Sequence, residues 1–184
     1  QQPPRCRTDD AVLEEMYARP VGAPPLEALA RQAKSACVLI GDRTRPVPNG
    51  LLLPPLLRIL HRAGLGREAI TIIVATGLHA PAKGDELREV LGDACIPDLA
   101  RVGNHLARNP DDHCLIGTTS DGTPVRIDRR FARADLKIVV GLIEPHFMAG
   151  FSGGRKLIVP GVADESTIRR FHASDLLDHA GAEM

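Results

Sequence analysis

The feature that most constrains this chain is an alternation of short apolar runs with helical patterns. The clearest run is ITIIVA at residues 70–75, and a second strong run covers residues 136–143. Weaker apolar runs lie at residues 36–40 and 99–102. Continuous apolar runs of this length are typical of strands that are buried on both faces of a parallel sheet. The pattern therefore predicts an α/β fold, a Rossmann-like layered domain with a mostly parallel sheet and flanking helices.

Helices are expected between and after these runs, at residues 52–63, 85–91 and 164–177. Pro54 and Pro55 fit only the first turn of the first helix, because proline has no amide hydrogen to donate within a helix. Asp164 is expected to cap the last helix. Residues 123–127 alternate in polarity, which predicts a strand that pairs at a sheet edge.

Length and charge limit the classes of function. The 184 residues correspond to about one domain, and 23 basic residues balance 23 acidic ones. A neutral chain has no general attraction for nucleic acid or for an anionic membrane. Four Phe, one Tyr and no Trp offer few rings on which single-stranded bases can stack. We therefore expect neither nucleic acid nor a membrane among the partners.

The cysteines and the apolar runs indicate the compartment. Four cysteines are dispersed along the chain without a C-x-x-C pair, which is typical of reduced thiols. The sequence has no signal-peptide pattern and no apolar run near the roughly 18 to 20 residues that span a bilayer. These features predict a cytoplasmic protein.

Polar, glycine-bearing segments follow the predicted strands, at residues 41–49, 76–83, 103–109 and 144–156. Loops that leave the carboxyl ends of parallel strands meet at one edge of the sheet, where ligands bind. His79 and His146 follow the two strongest strands, and two imidazoles at one edge indicate an acid–base pair. After the first strand, Asp42 and Arg45 supply a carboxylate and a guanidinium fork that suits an anion.

The glycine-rich segment SGGRK at residues 152–156 resembles a phosphate-binding P-loop. Arg155 stands where the last glycine of that motif belongs, and no hydroxyl residue follows the lysine, which argues against an ordinary NTPase. Gly153 and Gly154 let the backbone approach a phosphate or carboxylate closely. Lys156 leads into an apolar stretch, where burial lowers the pKa of an amine and favours a nucleophilic or covalent role.

Three motifs together resemble the N-terminal domain of the lactate racemase family, whose members use a nickel-pincer nucleotide. The motifs are Ala75-Thr-Gly-Leu-His79, GTTSDGTPV at residues 117–125, and the segment from Glu144-Pro-His146 through Gly-Gly-Arg-Lys156 to Pro160-Gly161. The likeness covers residues 42–172. It implies that residues 1–184 form a single N-terminal cofactor-binding and catalytic domain of a longer two-domain enzyme. The C-terminal domain of that enzyme lies outside this chain.

The resemblance also implies an activity, the racemisation or epimerisation of a 2-hydroxy acid. His79 and His146 would be the catalytic bases that remove the hydroxyl proton, while the α-hydrogen leaves as a hydride to the cofactor. Arg45 and Asp42 would bind the substrate. The racemisation needs a base on each side of the substrate, which accounts for two histidines in one site.

For the cofactor, the resemblance implies a covalent thioamide at Lys156 and a protein ligand to nickel at His172. Sulfur, carbon and sulfur donors of the pincer would complete a square-planar site that suits Ni(II). The residues that would contact the cofactor phosphate are Thr76, Gly77, Gly153 and Gly154. The implied partners are the 2-hydroxy acid, the protein's own C-terminal domain and the cofactor-maturation proteins, and an isolated domain is expected to lack the cofactor.

Two departures from the family leave the substrate open. Phe171 precedes His172 where the lactate enzymes have an asparagine, and Ala80 follows His79 where they commonly have an arginine. Two other classes of function also remain: a non-catalytic module that binds a nucleotide or phosphate, and a zinc or simple hydrolase built on the same histidines. The histidine and cysteine spacings match no standard tetrahedral zinc site.

Overall fold

The structure, a computed structural model, describes residues 10–92, 101–147 and 149–174. The helices are α1 (Asp10–Ala18), α2 (Leu26–Ala30), α3 (Asn49–Arg62), α4 (Gly84–Leu91), α5 (Arg129–Arg133) and α6 (Glu165–Phe171). The strands are β1 (Ala36–Gly41), β2 (Ile70–Ala75), β3 (Arg101–Asn104), β4 (His113–Thr118), β5 (Pro124–Asp128), β6 (Leu136–Val140), β7 (Pro145–His146) and β8 (Gly150–Phe151). A 3-10 turn, Gly154–Leu157, lies between β8 and α6.

The central sheet has four parallel strands in the order β3-β2-β1-β6. The register aligns Gly41 with Ala75 and Ile40 with Val140, so the carboxyl ends of β1, β2 and β6 lie side by side. The predicted α/β fold with a parallel sheet is therefore confirmed. The chain runs outward from β1 through β2 to β3 and later returns on the other side of β1. The carboxyl ends of the neighbouring strands β1 and β6 thus form a topological switch point, where open α/β sheets bind ligands.

Strand β1 lies at the centre of two apolar cores. All six of its residues are buried, and alternate side chains point to opposite faces of the sheet. Val38 and Ile40 pack in the core beneath α3 and α4. Leu39 packs on the other face in a core that includes Phe131 of α5 and Ile168 of α6. A strand covered on both faces needs a continuous apolar run, as the sequence predicts.

Helix α3 begins earlier than predicted. It starts at Asn49 rather than residue 52, so Pro54 and Pro55 lie beyond the first turn, and the expectation that they fit only there is wrong. The start is set by a tertiary contact, because Asn49 Nδ2 donates a hydrogen bond of 2.7 Å to the carbonyl oxygen of Val90 in α4. This contact joins residues 41 positions apart, which no local pattern reveals.

The weaker strand predicted around residues 99–102 is present as β3 from Arg101 onward, and residues 99 and 100 lie outside the described residues. Two other strand predictions need correction. Residues 124–128 pair with β4 in a separate antiparallel hairpin and not at an edge of the main sheet. Strand β4 was missed because its residues become steadily more exposed without alternation. Strand β6 stops at Val140, because the following Gly141 passes directly against Leu157 and Gly153.

The last described helix is shorter than predicted. Asp164 caps α6 as expected, since its carboxylate accepts a 2.8 Å hydrogen bond from the backbone N–H of Thr167. The helix ends at Phe171, however, before the predicted end at residue 177. Positions 175–177 of the predicted helix lie outside the described residues. Cys37 and Cys114 are free thiols, as predicted. Cys6 and Cys95 lie outside the described residues.

Candidate active site

A cavity of about 470 Å³ lies at the switch point, where the segments after β1, β2 and β6 meet the end of α6. The structure brings almost all of the predicted site residues to this cavity. Those that line it are Asp42, Arg45, Thr76, Gly77, His79, His146, Gly153, Lys156 and His172. Gly154 lines an adjoining cavity instead. This convergence is a finding of geometry, and the chemical roles of the residues stay predictions.

His79 forms a dyad with Asp42, a pair that sequence reasoning missed. The Nδ1–H of His79 donates to Asp42 Oδ2 at 2.5 Å, while Thr44 donates to the other oxygen from both its hydroxyl and its backbone N–H. Burial of Asp42 raises the pKa of its carboxyl, but the hydrogen bonds from Thr44 and His79 outweigh it, and this pKa lies below its ordinary value. An ionised Asp42 therefore fixes Nδ1 as the protonated nitrogen and leaves Nε2 as the acceptor.

The backbone around His79 is held by the end of β2. The N–H of His79 bonds to the carbonyl of Thr76 at 2.9 Å, and the N–H of Gly77 bonds to the carbonyl of Gly161 at 2.9 Å. Gly77 has φ of +55°, a conformation that residues with a side chain rarely adopt. The turn after β2 is thereby tied to the segment that follows the glycine-rich loop.

Arg45 bridges the switch point. Its Nη1 donates to Glu144 Oε1 at 2.9 Å, joining the segment after β1 to the segment after β6. The backbone of Glu144 is held in turn by Ser152, whose N–H donates to the Glu144 carbonyl and whose hydroxyl accepts from the Glu144 N–H. The predicted anion-binding guanidinium is therefore already paired with a carboxylate of the protein.

His146 lies on β7 and lines the same cavity as the dyad. Burial, and then the positive charges of Lys156 and Arg45, lower the pKa of His146, so the neutral ring is favoured. The N–H of Ala149 donates to Nδ1 at 3.3 Å, which places the proton of the neutral ring on Nε2. The Phe147 ring stacks on the imidazole with a centroid distance of 5.0 Å. The two site imidazoles thus present opposite states, an Nε2 acceptor on His79 and an Nε2–H donor on His146.

Lys156 lies in the 3-10 turn, and its N–H bonds to the carbonyl of Gly153 at 2.9 Å. Burial lowers the pKa of the amine, and Arg45 lowers it further. Gly153 has φ of +70°, and a Cβ there would lie 2.6 Å from the carbonyl oxygen of Leu142, so glycine is required. An amine with a lowered pKa spends more time unprotonated, which is compatible with a nucleophilic or covalent role, and that role of Lys156 stays a prediction.

His172 directly follows α6 and lines the cavity. In the described part of the chain, no group of three or more His, Cys, Asp or Glu side chains lies close enough together to hold a metal ion. Within the described residues, His172 is thus not joined by two further protein donors of the kind that a tetrahedral zinc site uses, and its role as a metal ligand stays a prediction.

A pair of buried histidines contacts Thr76, one of the residues that line the cavity. Thr76 Oγ1 donates to the carbonyl of His105 at 2.8 Å, and His105 Nε2 lies 2.9 Å from His113 Nε2. Both rings are almost completely buried. Burial, and then the neighbouring His113, lower the pKa of His105 to about 4. The sequence offered no signal for this pairing beyond the presence of the two histidines.

Fold and site together define a class: an open α/β domain with a cavity at its switch point that is lined by imidazoles and an amine of lowered pKa. The described helices include none that is both long and apolar enough to cross a membrane. The chain belongs to the lactate racemase N-terminal domain family, whose model matches residues 1–184.

Relatives of known name agree with this assignment. The chain is 34% identical over 170 residues to a lactate racemase of Thermoanaerobacterium thermosaccharolyticum and 35% identical over 171 residues to one of Lactiplantibacillus plantarum. These alignments cover 92% and 93% of this chain but 39% and 40% of the relatives. The chain therefore spans about two fifths of the length of the curated relatives it matches.

Solved structures show the same fold. The lactate racemase apoprotein of Thermoanaerobacterium thermosaccharolyticum superposes with a TM-score of 0.86 at 33% identity, covering 95% of this chain and 41% of that one. A protein of Thermotoga maritima superposes with a TM-score of 0.67 at 25% identity, covering 89% of this chain and 40% of that one.

Proposed function

We propose that this domain supplies the proton-transferring imidazoles and the cofactor lysine of a 2-hydroxy-acid racemase or epimerase. The observation that carries the proposal is the meeting of His79, His146, Lys156 and His172 in one cavity at the switch point. The curated relatives that match this chain are lactate racemases, which supports the same class of reaction. The complete protein would include a C-terminal domain as partner and would act in the cytoplasm.

The substrate carboxylate would bind at Arg45. A guanidinium has five N–H donors, and Glu144 occupies Nη1, which leaves other donors for an incoming carboxylate. A 2-hydroxy acid anchored there has its hydroxyl group within the cavity that the two imidazoles line. The lactate side chain is small, but larger 2-hydroxy acids belong to the same chemical class.

Proton transfer would be divided between the imidazoles. His79 accepts the hydroxyl proton at Nε2, and the Asp42 carboxylate holds Nδ1–H and stabilises the imidazolium that forms. Re-reduction of the 2-keto acid on its other face would need a proton at the substrate oxygen, which the imidazolium form of His146 would donate, since the lowered pKa of this ring makes its protonated form a ready donor. The opposite enantiomer would result, and the reverse reaction would begin with His146 as the acceptor and end with His79 as the donor. A module that only binds a nucleotide has no need of this asymmetric pair.

The hydride acceptor must come from outside the side chains of this domain. A nickel-pincer nucleotide, when bound, supplies that acceptor. Lys156 would hold it covalently, His172 would be the protein ligand to nickel, and its phosphate would be contacted by Thr76, Gly77, Gly153 and Gly154. Cofactor-maturation proteins are then further partners.

Mass spectrometry tests the cofactor assignment. The complete protein is produced together with the cofactor-maturation enzymes, and the peptide that contains Lys156 is examined for the added mass of the nucleotide. A Lys156→Arg variant serves as the control, because it keeps the charge but cannot form the thioamide. An unmodified Lys156 in an active, nickel-containing protein would overturn the assignment.

Conversion of pure enantiomers tests the reaction itself. The matured protein should convert each enantiomer of a 2-hydroxy acid into the racemate, and His146→Asn should abolish the conversion while Lys156 is still modified. The non-catalytic alternative finds support in the positive φ values of Gly153 and Gly154, which suit a phosphate-binding turn. A protein that takes up the nucleotide but leaves each enantiomer unchanged would favour that alternative.

A further inference from the structure

One family motif, GTTSDGTPV at residues 117–125, does not line the cavity. It forms the turn between β4 and β5, with Gly122 at φ of +84°. The N–H of Thr119 bonds to the carbonyl of Thr123 at 2.9 Å, and the hydroxyl of Thr119 accepts from the N–H of Thr123. The turn is therefore closed on itself, and its contribution to the site must be indirect.

The hydrogen bonds of this turn converge on the carboxylate of Asp121. The hydroxyl of Thr119 donates to one oxygen, and the hydroxyl of Thr123 donates to the other at 3.0 Å. These two bonds, with a smaller contribution from Arg170, lower the pKa of Asp121 to about 2. The carboxylate is thus ionised and held in one orientation.

The carboxylate faces the end of α6. Arg170 Nη2 lies 3.1 Å from Asp121 Oδ2, in a contact between residues 49 positions apart. Arg170 is two residues before His172, whose N–H closes the last turn on the carbonyl of Ile168 at 3.1 Å. Asp121 therefore contacts the helix at the end that carries the cavity histidine.

The same hairpin also holds the beginning of α6. The N–H of Arg126 in β5 donates to the Thr167 hydroxyl at 3.1 Å, and the N–H of Asp164 donates to the Arg126 carbonyl at 3.0 Å. Both ends of the helix are thus attached to one hairpin. Arg169 differs from its neighbour, because it pairs with Glu165 of the same helix and ties α6 only to itself.

We propose that Asp121 is a positioning residue, which acts through Arg170 to hold His172 at the cavity. This inference gives the motif at residues 117–125 a role in the site, and it rests on the proposed function of His172 as a nickel ligand. Arg169 provides a matched control, since removing its charge deletes an ion pair one position away without affecting the hairpin.

Amide hydrogen exchange tests the positioning without any cofactor. In the complete apoprotein, Arg170→Met and Asp121→Asn should speed the exchange of the His172 and Ala173 amides about three- to fivefold, the range expected for loss of one exposed ion pair. Arg169→Met and Arg170→Lys should leave these amides unchanged. Equal exchange in Arg170→Met and Arg169→Met would overturn the proposal, and thermal unfolding of all variants checks that the effect is local.

Nickel retention tests the consequence for the site. After maturation and dialysis against a chelator, Arg170→Met should lose nickel severalfold faster than Arg169→Met, while Lys156 stays modified in both. Equal nickel loss despite faster amide exchange would overturn the link between the ion pair and His172. A different result is possible, in which Arg170→Met exchanges faster but the wild-type protein never takes up nickel. That result would overturn the proposed function and leave the attachment of α6 to the hairpin intact.

Discussion

At the scale of single residues, the site is organised by charge. Burial, and then the positive charges of Lys156 and Arg45, lower the pKa of His146, whereas Glu144 raises it. Asp42 is held ionised beside His79 by hydrogen bonds rather than by exposure. Each imidazole therefore has its own electrostatic surroundings, although both line the same cavity.

Asp42→Asn should leave the fold intact and impair catalysis. An amide in place of the carboxylate no longer requires Nδ1 to be the protonated nitrogen and no longer stabilises the imidazolium of His79. We expect kcat of the matured complete protein to fall by about 10²- to 10⁴-fold, measured by polarimetry on one enantiomer. Asp135→Asn, which removes a carboxylate far from the cavity, is the control. A loss below about threefold for Asp42→Asn would contradict the dyad role.

Glu144→Gln should strengthen substrate binding. Its carboxylate partly neutralises the guanidinium of Arg45, so removal of that charge should lower KM for a 2-hydroxy acid by about fivefold, the equivalent of about 1 kcal/mol. Glu144 also raises the pKa of His146, so this pKa should fall further and the acidic limb of the pH profile should move to lower pH. A higher KM would show that Glu144 aligns the guanidinium instead of competing for it.

At the scale of elements, the junction of α3 and α4 sets where both helices lie. Gly50 near the start of α3 and Gly92 just after α4 bring their backbones into direct contact. The hydrogen bond from Asn49 to Val90 crosses the same junction. The two crossover helices on this face of the sheet are thus joined beneath the loops that carry the site.

Gly92→Ala should destabilise the protein strongly. Gly92 has φ of +80°, and a Cβ there would overlap the backbone of Gly50. Gly22 is a matched control with φ of +70° and open space around its Cβ. We expect about 1 kcal/mol of loss for Gly22→Ala from the left-handed backbone alone, and at least about 2 kcal/mol more for Gly92→Ala from the overlap. Urea unfolding measures both, and equal losses would contradict the close contact.

At the scale of the whole molecule, buried polar groups connect the site to the apolar core that contains Phe131 and Ile168. His105, whose N–H bonds to the carbonyl of Val74 in β2, contacts His113 at the start of β4, with Asp128 and Arg130 nearby. Arg130 pairs with Asp128 at 2.6 Å and donates to the carbonyl of Asn104. Arg130 of α5 thus links the end of β3 to the end of β5 in the hairpin.

Burial of His105 should make stability depend on pH. The folded protein holds its pKa at about 4, against an ordinary value of 6.5. Below pH 6.5 the unfolded chain therefore binds the proton more readily, and stability falls as the pH drops towards 4. We expect a loss of about 2 kcal/mol between pH 7 and pH 5, measured by urea unfolding. His105→Gln should reduce this dependence, and an equal dependence in the variant would assign it to other groups.

Part of this architecture follows directly from local sequence. The run at residues 70–75 is apolar and rich in β-branched side chains, and it forms β2 with those bounds. The convergence of His79 and His146 followed from their positions after strands of a parallel sheet. The cap at Asp164 needed only the residues next to it. The strand and the cap depend only on neighbouring residues, and the convergence depends on a general property of parallel sheets, whose carboxyl ends share one edge.

Tertiary structure alone decided the partners of the site residues. Asp42 and His79 are 37 positions apart, Arg45 and Glu144 are 99 apart, and Asp121 and Arg170 are 49 apart. The start of α3 and the separate β4–β5 hairpin likewise depend on contacts between distant segments. The sequence by itself determined the sheet, its polar edge and the residue types available there. Which carboxylate pairs with which cation depends on how the loops pass over the edge of the sheet. Two side chains that are distant in the sequence attract each other appreciably only after folding has brought them within a few ångströms.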